Sequence, residues 1–205
     1  MSKVPLITVL AILLFSCGES QEKSTNQSAT EENSTEIQKE ASISSADYSS
    51  LFTDFSCNVT VSELAQALNL PESDISIPKH LPSSGCAFVI NGFGKNAFGE
   101  ETTIHWFLEK TSKDEVKEQI QSYSETEVSN NVLAMGLEMS ETGDTYLAKA
   151  PSYGRVNVLN ENHENWLLIS YAPMHQYKAR TQEQHIALGA KMIDLANYLL
   201  KKHKK

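Results

Sequence analysis

The chain has 205 residues, with 17 Lys and Arg against 26 Asp and Glu and a formal charge of −9 at neutral pH. An acidic chain with no basic stripe before Lys201 does not suit phosphate backbones, whose binding draws on Lys and Arg, so no nucleic-acid partner is expected. No internal repeat is visible, and the 40% hydrophobic content is enough for a real core.

The N-terminus is Met1-Ser-Lys3, followed by an apolar run from Val4 to Phe15. One positive charge before about a dozen apolar residues has the layout of a secretory signal. The run is too short to cross a hydrocarbon core of about 30 Å, which takes about 20 residues. It closes on Leu14-Phe15-Ser16-Cys17-Gly18, with a small residue at the cleavage position. This end resembles the bacterial lipobox, in which an apolar stretch and a small residue precede a lipidated cysteine. The resemblance implies a signal peptide over residues 1–16, a mature chain starting at Cys17, and lipid such as palmitate on that cysteine. Two or more acyl chains give stable anchoring, with roughly 0.8 kcal/mol from each buried CH₂. The expected partner of this end is therefore a membrane. The lack of an Asp after Cys17 favours the outer membrane over the inner one, with either the periplasmic or the surface face open.

Residues 17–46 follow as Ser, Thr, Glu, Gln, Asn and Ala with no aromatic side chain. Such a stretch buries too little apolar surface to offset its ordering entropy and is expected to be a disordered tether. Its r.m.s. span is roughly 30 Å, and its full reach about 100 Å. Residues 47–205 have the size of one domain.

Within that domain, Thr60-Val-Ser-Glu63 is a capping box, and Val61, Leu64, Ala65 and Leu68 follow at helical spacing, predicting a helix over 61–69. The proline-rich stretch 70–84 reads as loop. Strands are expected at 86–90 and 102–108, either side of a Gly-rich loop. Ser112-Lys-Asp-Glu115 opens a second helix with Val116, Ile120 and Tyr123 on one face. Residues 128–142 fit no single pattern. Three strands over 144–150, 154–159 and 165–171 are joined by short turns and predict an antiparallel meander. Thr181-Gln-Glu-Gln184 caps a last helix running to about Lys202, with Ile186, Gly189, Met192, Ile193, Ala196, Leu199 and Leu200 as its apolar stripe. The order α, β, β, α, β, β, β, α predicts an α+β fold, an antiparallel sheet with about three helices packed on it.

Export would place Cys57 and Cys86 in an oxidising compartment, where an even count predicts a disulfide. It would close a loop of about 30 residues, which the chain-entropy model values at roughly 3.5 kcal/mol.

Motifs that carry chemistry are sparse. Gly92-Phe-Gly94-Lys-Asn-Ala-Phe-Gly99 lacks the spacing of a phosphate loop or dinucleotide fingerprint and is followed by strand rather than helix. It reads as a mobile loop between strands, with Gly92 and Gly94 as candidate ligand contacts. His80, His105, His163, His175, His185 and His203 show no metal spacing, and no G-x-S-x-G nucleophile motif occurs. No metal, cofactor or catalytic residue is expected. Trp106, Phe107, Tyr146, Tyr153, Trp166 and Tyr171 are the aromatics that matter most. Trp106 and Trp166 are expected to pack in the sheet or, if one face is uncovered, to line a binding groove. The terminal Lys201-Lys-His-Lys-Lys205 favours the helix dipole, with attraction to anionic headgroups as an alternative.

Three segments together carry a family resemblance: Cys57-Asn-Val-Thr60-Val-Ser-Glu63-Leu-Ala-Gln-Ala-Leu68, Cys86-Ala-Phe88, and Gly143-Asp144-Thr-Tyr146. They resemble secreted bacterial lipoproteins of unknown function with a PsbP-like α/β sandwich. The resemblance implies a disulfide-stapled, non-enzymatic envelope module. The function expected is that of a lipid-anchored binding or accessory domain for an envelope protein or small ligand. An envelope hydrolase with a dispersed site, or a structural or inhibitory lipoprotein, are the alternatives.

Overall fold

The computed structural model describes residues 46–126, 131 and 133–205. Cys17, the signal over residues 1–16 and the tether through residue 45 lie outside the described residues, as do residues 127–130 and 132.

The domain opens with a single helical turn, α1 (Ser49–Phe52), which the sequence did not signal and which buries Leu51 and Phe52. Helix α2 (Val61–Leu68) starts at the expected capping box: the Thr60 side chain accepts from the Glu63 N–H, and the Glu63 carboxylate accepts from the Thr60 N–H. It stops at Asn69, which takes a left-handed φ of 48°. Strand β1 (Ile75–Ser76) lies inside the stretch expected to be loop. Strands β2 (Cys86–Lys95) and β3 (Glu101–Glu109) form a long antiparallel pair. Helix α3 (Lys113–Ser124) begins at the Ser112–Glu115 capping box and buries Val116, Ile120 and Tyr123. Strand β4 (Gly136–Met139) comes from the region without a clear pattern. Strands β5 (Tyr146–Ala150), β6 (Arg155–Leu159) and β7 (Trp166–Ser170) form the expected meander. Helix α4 (Gln182–His203) follows the third capping box, at Thr181.

All seven strands join one antiparallel sheet in the order β1-β2-β3-β7-β6-β5-β4. The class is α+β, and the described residues hold four α-helices, the short α1 besides the three that the capping boxes predicted, in keeping with the expected count of about three. Alternation along each strand sorts side chains to two faces. Phe88, Ile90, Ile104, Trp106, Leu147, Val156, Val158, Leu167 and Ile169 point to one face and are buried under α1, α2 and α4. Ala148, Ala150, Leu159 and Trp166 point to the other, where α3 covers them with Val116, Ile120 and Tyr123. On that second face the β2–β3 half is only partly shielded, and Val89, Thr103, His105 and Phe107 are half-exposed.

A disulfide joins Cys57 to Cys86, as expected, and ties the chain before α2 to the start of β2. The Gly-rich segment corrects the sequence reading. β2 does not end at Ile90 but continues to Lys95 through a register irregularity against β3, and Gly92 and Gly94 take φ values of 87° and 90° within it.

Candidate functional site

The site forms where the N-terminal half of α4 meets the β4–β5 edge, and one buried arginine sets its frame. Arg180 precedes the α4 cap and is 6% exposed. Its Nε donates to the Phe93 carbonyl at 2.8 Å, and Nη1 donates to the Tyr171 and Ala172 carbonyls at 3.0 Å each. Nη2 donates to Thr102 Oγ1 at 2.8 Å, and the guanidinium lies 3.9 Å over the Tyr177 ring. A buried cation without a carboxylate is tolerated only when its donors are taken up, as they are here. Gly94 makes room for it: a Cβ there would stand 2.8–2.9 Å from Arg180 backbone and side-chain atoms. Gly92 contributes its carbonyl, which accepts from Gln184 Nε2 at 2.9 Å. The two glycines therefore seat the start of α4, and neither lines the cavity beside that helix.

His185 extends this cluster. Its Nδ1 lies 3.3 Å from Arg180 Nη1 and its Nε2 lies 2.8 Å from the Pro151 carbonyl. An arginine can only donate and a carbonyl can only accept, so the geometry assigns a neutral imidazole with the proton on Nε2. Burial lowers its pKa, the Pro151 carbonyl opposes that, and Arg180 adds to it.

From this start, α4 lies on the sheet with a stripe wider than the sheet can cover. Leu188, Met192, Leu195, Ala196, Leu199 and Leu200 are buried in the core. Ile186, Gly189, Ala190 and Ile193 follow at the i, i+3, i+4, i+7 spacing of a second strip, one side over. Ile186 is 38% exposed, and all four line a cavity of about 840 Å³. The opposite wall is Met135, Gly136 and Leu137 at the start of β4 with Tyr123 of α3, and the floor is Pro151, Val156 and Tyr171. Charge enters the lining through Asp194, Glu138 and Lys149, the last two paired with each other.

Tyr171 is the buried polar group of this cavity. It is 1% exposed, and its ring packs at 5.1 Å from the His185 ring. A Cβ on Gly189 would stand 3.0 Å from its hydroxyl, which places that hydroxyl at the wall beside α4. The hydroxyl makes no hydrogen bond among the described residues, and burial pushes its pKa up to about 12 against the opposing field of Arg180.

The tryptophans expected as ligand contacts sit elsewhere. Trp106 is fully buried, stacked on Phe88 at a centroid distance of 5.6 Å, and has no surface to offer a ligand. Trp166 is half-buried against the α3 cluster. Both indole N–H groups are buried without a partner among the described residues, and neither tryptophan lines the cavity beside α4.

A second hollow of about 760 Å³ lies on the half-shielded face, between the 76–82 segment and β2–β3. Ile77 and Leu81 are exposed at 63% and 68% beside it, and His105 Nε2 is bonded to the Ser84 carbonyl at 3.0 Å. Among the described residues, no group of three or more His, Cys, Asp and Glu could hold a metal ion, and no helix is long and apolar enough to cross a membrane.

Comparison with known proteins finds no matching family model, no matching curated protein and no matching solved structure.

Proposed function

We propose that the chain is a lipid-anchored envelope lipoprotein whose domain binds a small, mainly apolar ligand in the cavity beside α4. One observation carries the binding half of this reading. A strip of α4 at helical spacing faces Met135 and Leu137 across a space of about 840 Å³, and ligand pockets of about 300–1,000 Å³ with apolar walls and few polar groups are the usual small-molecule sites. Ala190 sits on the exposed side of that strip, so filling the space there leaves the core untouched. Ala190→Trp is expected to weaken binding of the neutral dye Nile red roughly tenfold, about 1.4 kcal/mol. The circular dichroism spectrum should not change. Equal affinity in the two proteins would remove the cavity as the binding site.

The anchoring half rests on Leu14-Phe15-Ser16-Cys17 and the polar stretch after it. The localisation that goes with it is the envelope, with the outer membrane favoured. The likeness to PsbP-like lipoproteins belongs to the same proposal, and a sheet with helices on both faces is consistent with it. Mass spectrometry of the mature protein is expected to show acyl chains on an N-terminal Cys17. An unmodified N-terminus at another residue would sink the anchor.

A further inference from the structure

We propose that the Tyr171 hydroxyl is the polar anchor of the cavity, and that the ligand is an uncharged, mainly apolar molecule bearing one hydrogen-bond acceptor, such as a ketone, ester or ether oxygen. The inference rests on the reading of the cavity as a binding site and deepens it to a ligand class. Three observations lead there.

The first is the hydroxyl itself. Tyr171 is 1% exposed, lines the cavity and has no hydrogen-bond partner for its hydroxyl among the described residues. Its neighbours in the fold are otherwise satisfied. The Tyr171 carbonyl accepts from Arg180, and His185 has both ring nitrogens engaged. Among the described residues, the Tyr171 hydroxyl at the cavity wall is the group of this cluster that makes no hydrogen bond. Gly189 keeps it clear, since a Cβ there would stand 3.0 Å from the hydroxyl oxygen.

The second is its protonation state. With the pKa pushed up to about 12 by burial, the group is a phenol at neutral pH and offers its proton. A ligand oxygen that accepts this proton is a complementary partner.

The third is that, among the described residues of the lining, no cation is left unpaired for an anionic ligand to meet. Lys149 is paired with Glu138, and Arg180 spends its N–H groups on carbonyls, Thr102 and His185. Asp194 adds negative charge to the lining. An anion brought against these walls would lose its hydration without a counter-charge, so a neutral acceptor fits better.

Benzophenone and diphenylmethane have nearly the same shape and differ in a carbonyl against a methylene, so they isolate the hydrogen bond. Each is titrated into the full chain while the methyl signals of Ile186 and Ile193 are followed by NMR. Benzophenone is expected to bind about five- to tenfold tighter than diphenylmethane, the range of one neutral hydrogen bond. Diphenylacetate should bind more weakly than benzophenone. Tyr171→Phe keeps the ring and should bring benzophenone down to the affinity of diphenylmethane, with diphenylmethane unchanged. Equal affinities in the native chain, or a carbonyl preference that survives Tyr171→Phe, would overturn the inference while leaving the cavity as a binding site. Methyl signals that move with neither compound would overturn both.

Discussion

The two halves of α4 have opposite surroundings. Its C-terminal half is closed in. Leu195, Ala196, Leu199 and Leu200 are buried, and Asn197 Oδ1 accepts from the Glu141 N–H at 2.9 Å. Lys201 pairs with Glu141, Lys202 donates to Glu63 at 2.8 Å and to the Asn58 carbonyl at 2.7 Å, and Lys204 lies 3.8 Å from Asp144. Lys202 and the Thr60 cap together hold the Glu63 carboxyl down to about 2. Beside them, Asp47 and Lys205 exchange two backbone hydrogen bonds, and the Tyr48 hydroxyl donates to Asp144 at 2.8 Å. The start of the domain is thus fastened to its end. The N-terminal half is fastened at its origin by Arg180 and His185 and further along by Leu188, Met192 and the Lys191 donation to the Leu68 carbonyl at 2.6 Å, yet it leaves an apolar strip uncovered beside these ties. The lesson is a division of labour along one helix: one end holds the domain shut where the chain enters it, and the other leaves apolar surface for something else. It also bears on the terminal lysines. Lys201, Lys202 and Lys204 each face an acid of this chain, which fits an internal clamp better than a patch kept for headgroups.

The largest effect that tests this contrast is a matched pair of truncations. Leu199→Ala removes a side chain that is 1% exposed and packed among helices and sheet. It should destabilise the fold by about 2–5 kcal/mol, the range for leucine truncations in cores. Ile193→Ala removes an aliphatic side chain six residues earlier, half-buried on the cavity strip. It should cost less, under about 1.5 kcal/mol, because Ile193 is only partly buried and packs against the edge of the core rather than within it. Chemical denaturation of both variants checks the prediction. Equal losses would mean that the strip belongs to the core and that the division is false.

The fold was legible in the sequence in part, but this division was not. The three capping boxes were legible because each is a local exchange of hydrogen bonds, and Thr60, Ser112 and Thr181 all cap helices. The meander was legible from alternation and short turns. Strands β1 and β4 were not, because two and four residues at sheet edges leave little periodicity to read. The stripe on α4 was read as one surface. Spacing tells which residues are apolar but not how much of their width a sheet will cover, so Met192 and Ile193 looked equivalent. Tyr171 stood out as an aromatic, but nothing in sequence separates a phenol with a partner from one without. Arg180 carried no signal beyond being one of two arginines in the chain. Its role depends on carbonyls of Phe93, Tyr171 and Ala172, which only the fold brings together.

The smaller test is pH, since imidazoles sit near both ends of α4, His185 and His203 buried and His163 half-buried. At the closed end, the His163 ring stacks on Phe52 at 4.8 Å, and His203 Nδ1 lies 2.9 Å from Ser50 Oγ. Burial lowers the pKa of each. For His163, Lys113 adds to the shift and Asp47 opposes it; for His203, Lys202 and Lys205 add to it. At the open end, His185 is lowered chiefly by burial as well. In the unfolded chain each imidazole titrates near about 6.5. Between the lowered folded value and that point, the unfolded state binds more protons than the folded one, so stability rises with pH. The contribution is complete above about 6.5 and is lost as pH falls through that value. Denaturation between pH 7.5 and 5 should therefore show a loss on acidification. The closed end carries two of the three groups, so His163→Phe with His203→Gln should flatten the slope more than His185→Gln does. The reverse order would place the acid-sensitive joint at Arg180 and His185, and the clasp between Asp47 and Lys205 would no longer be the end that protonation loosens.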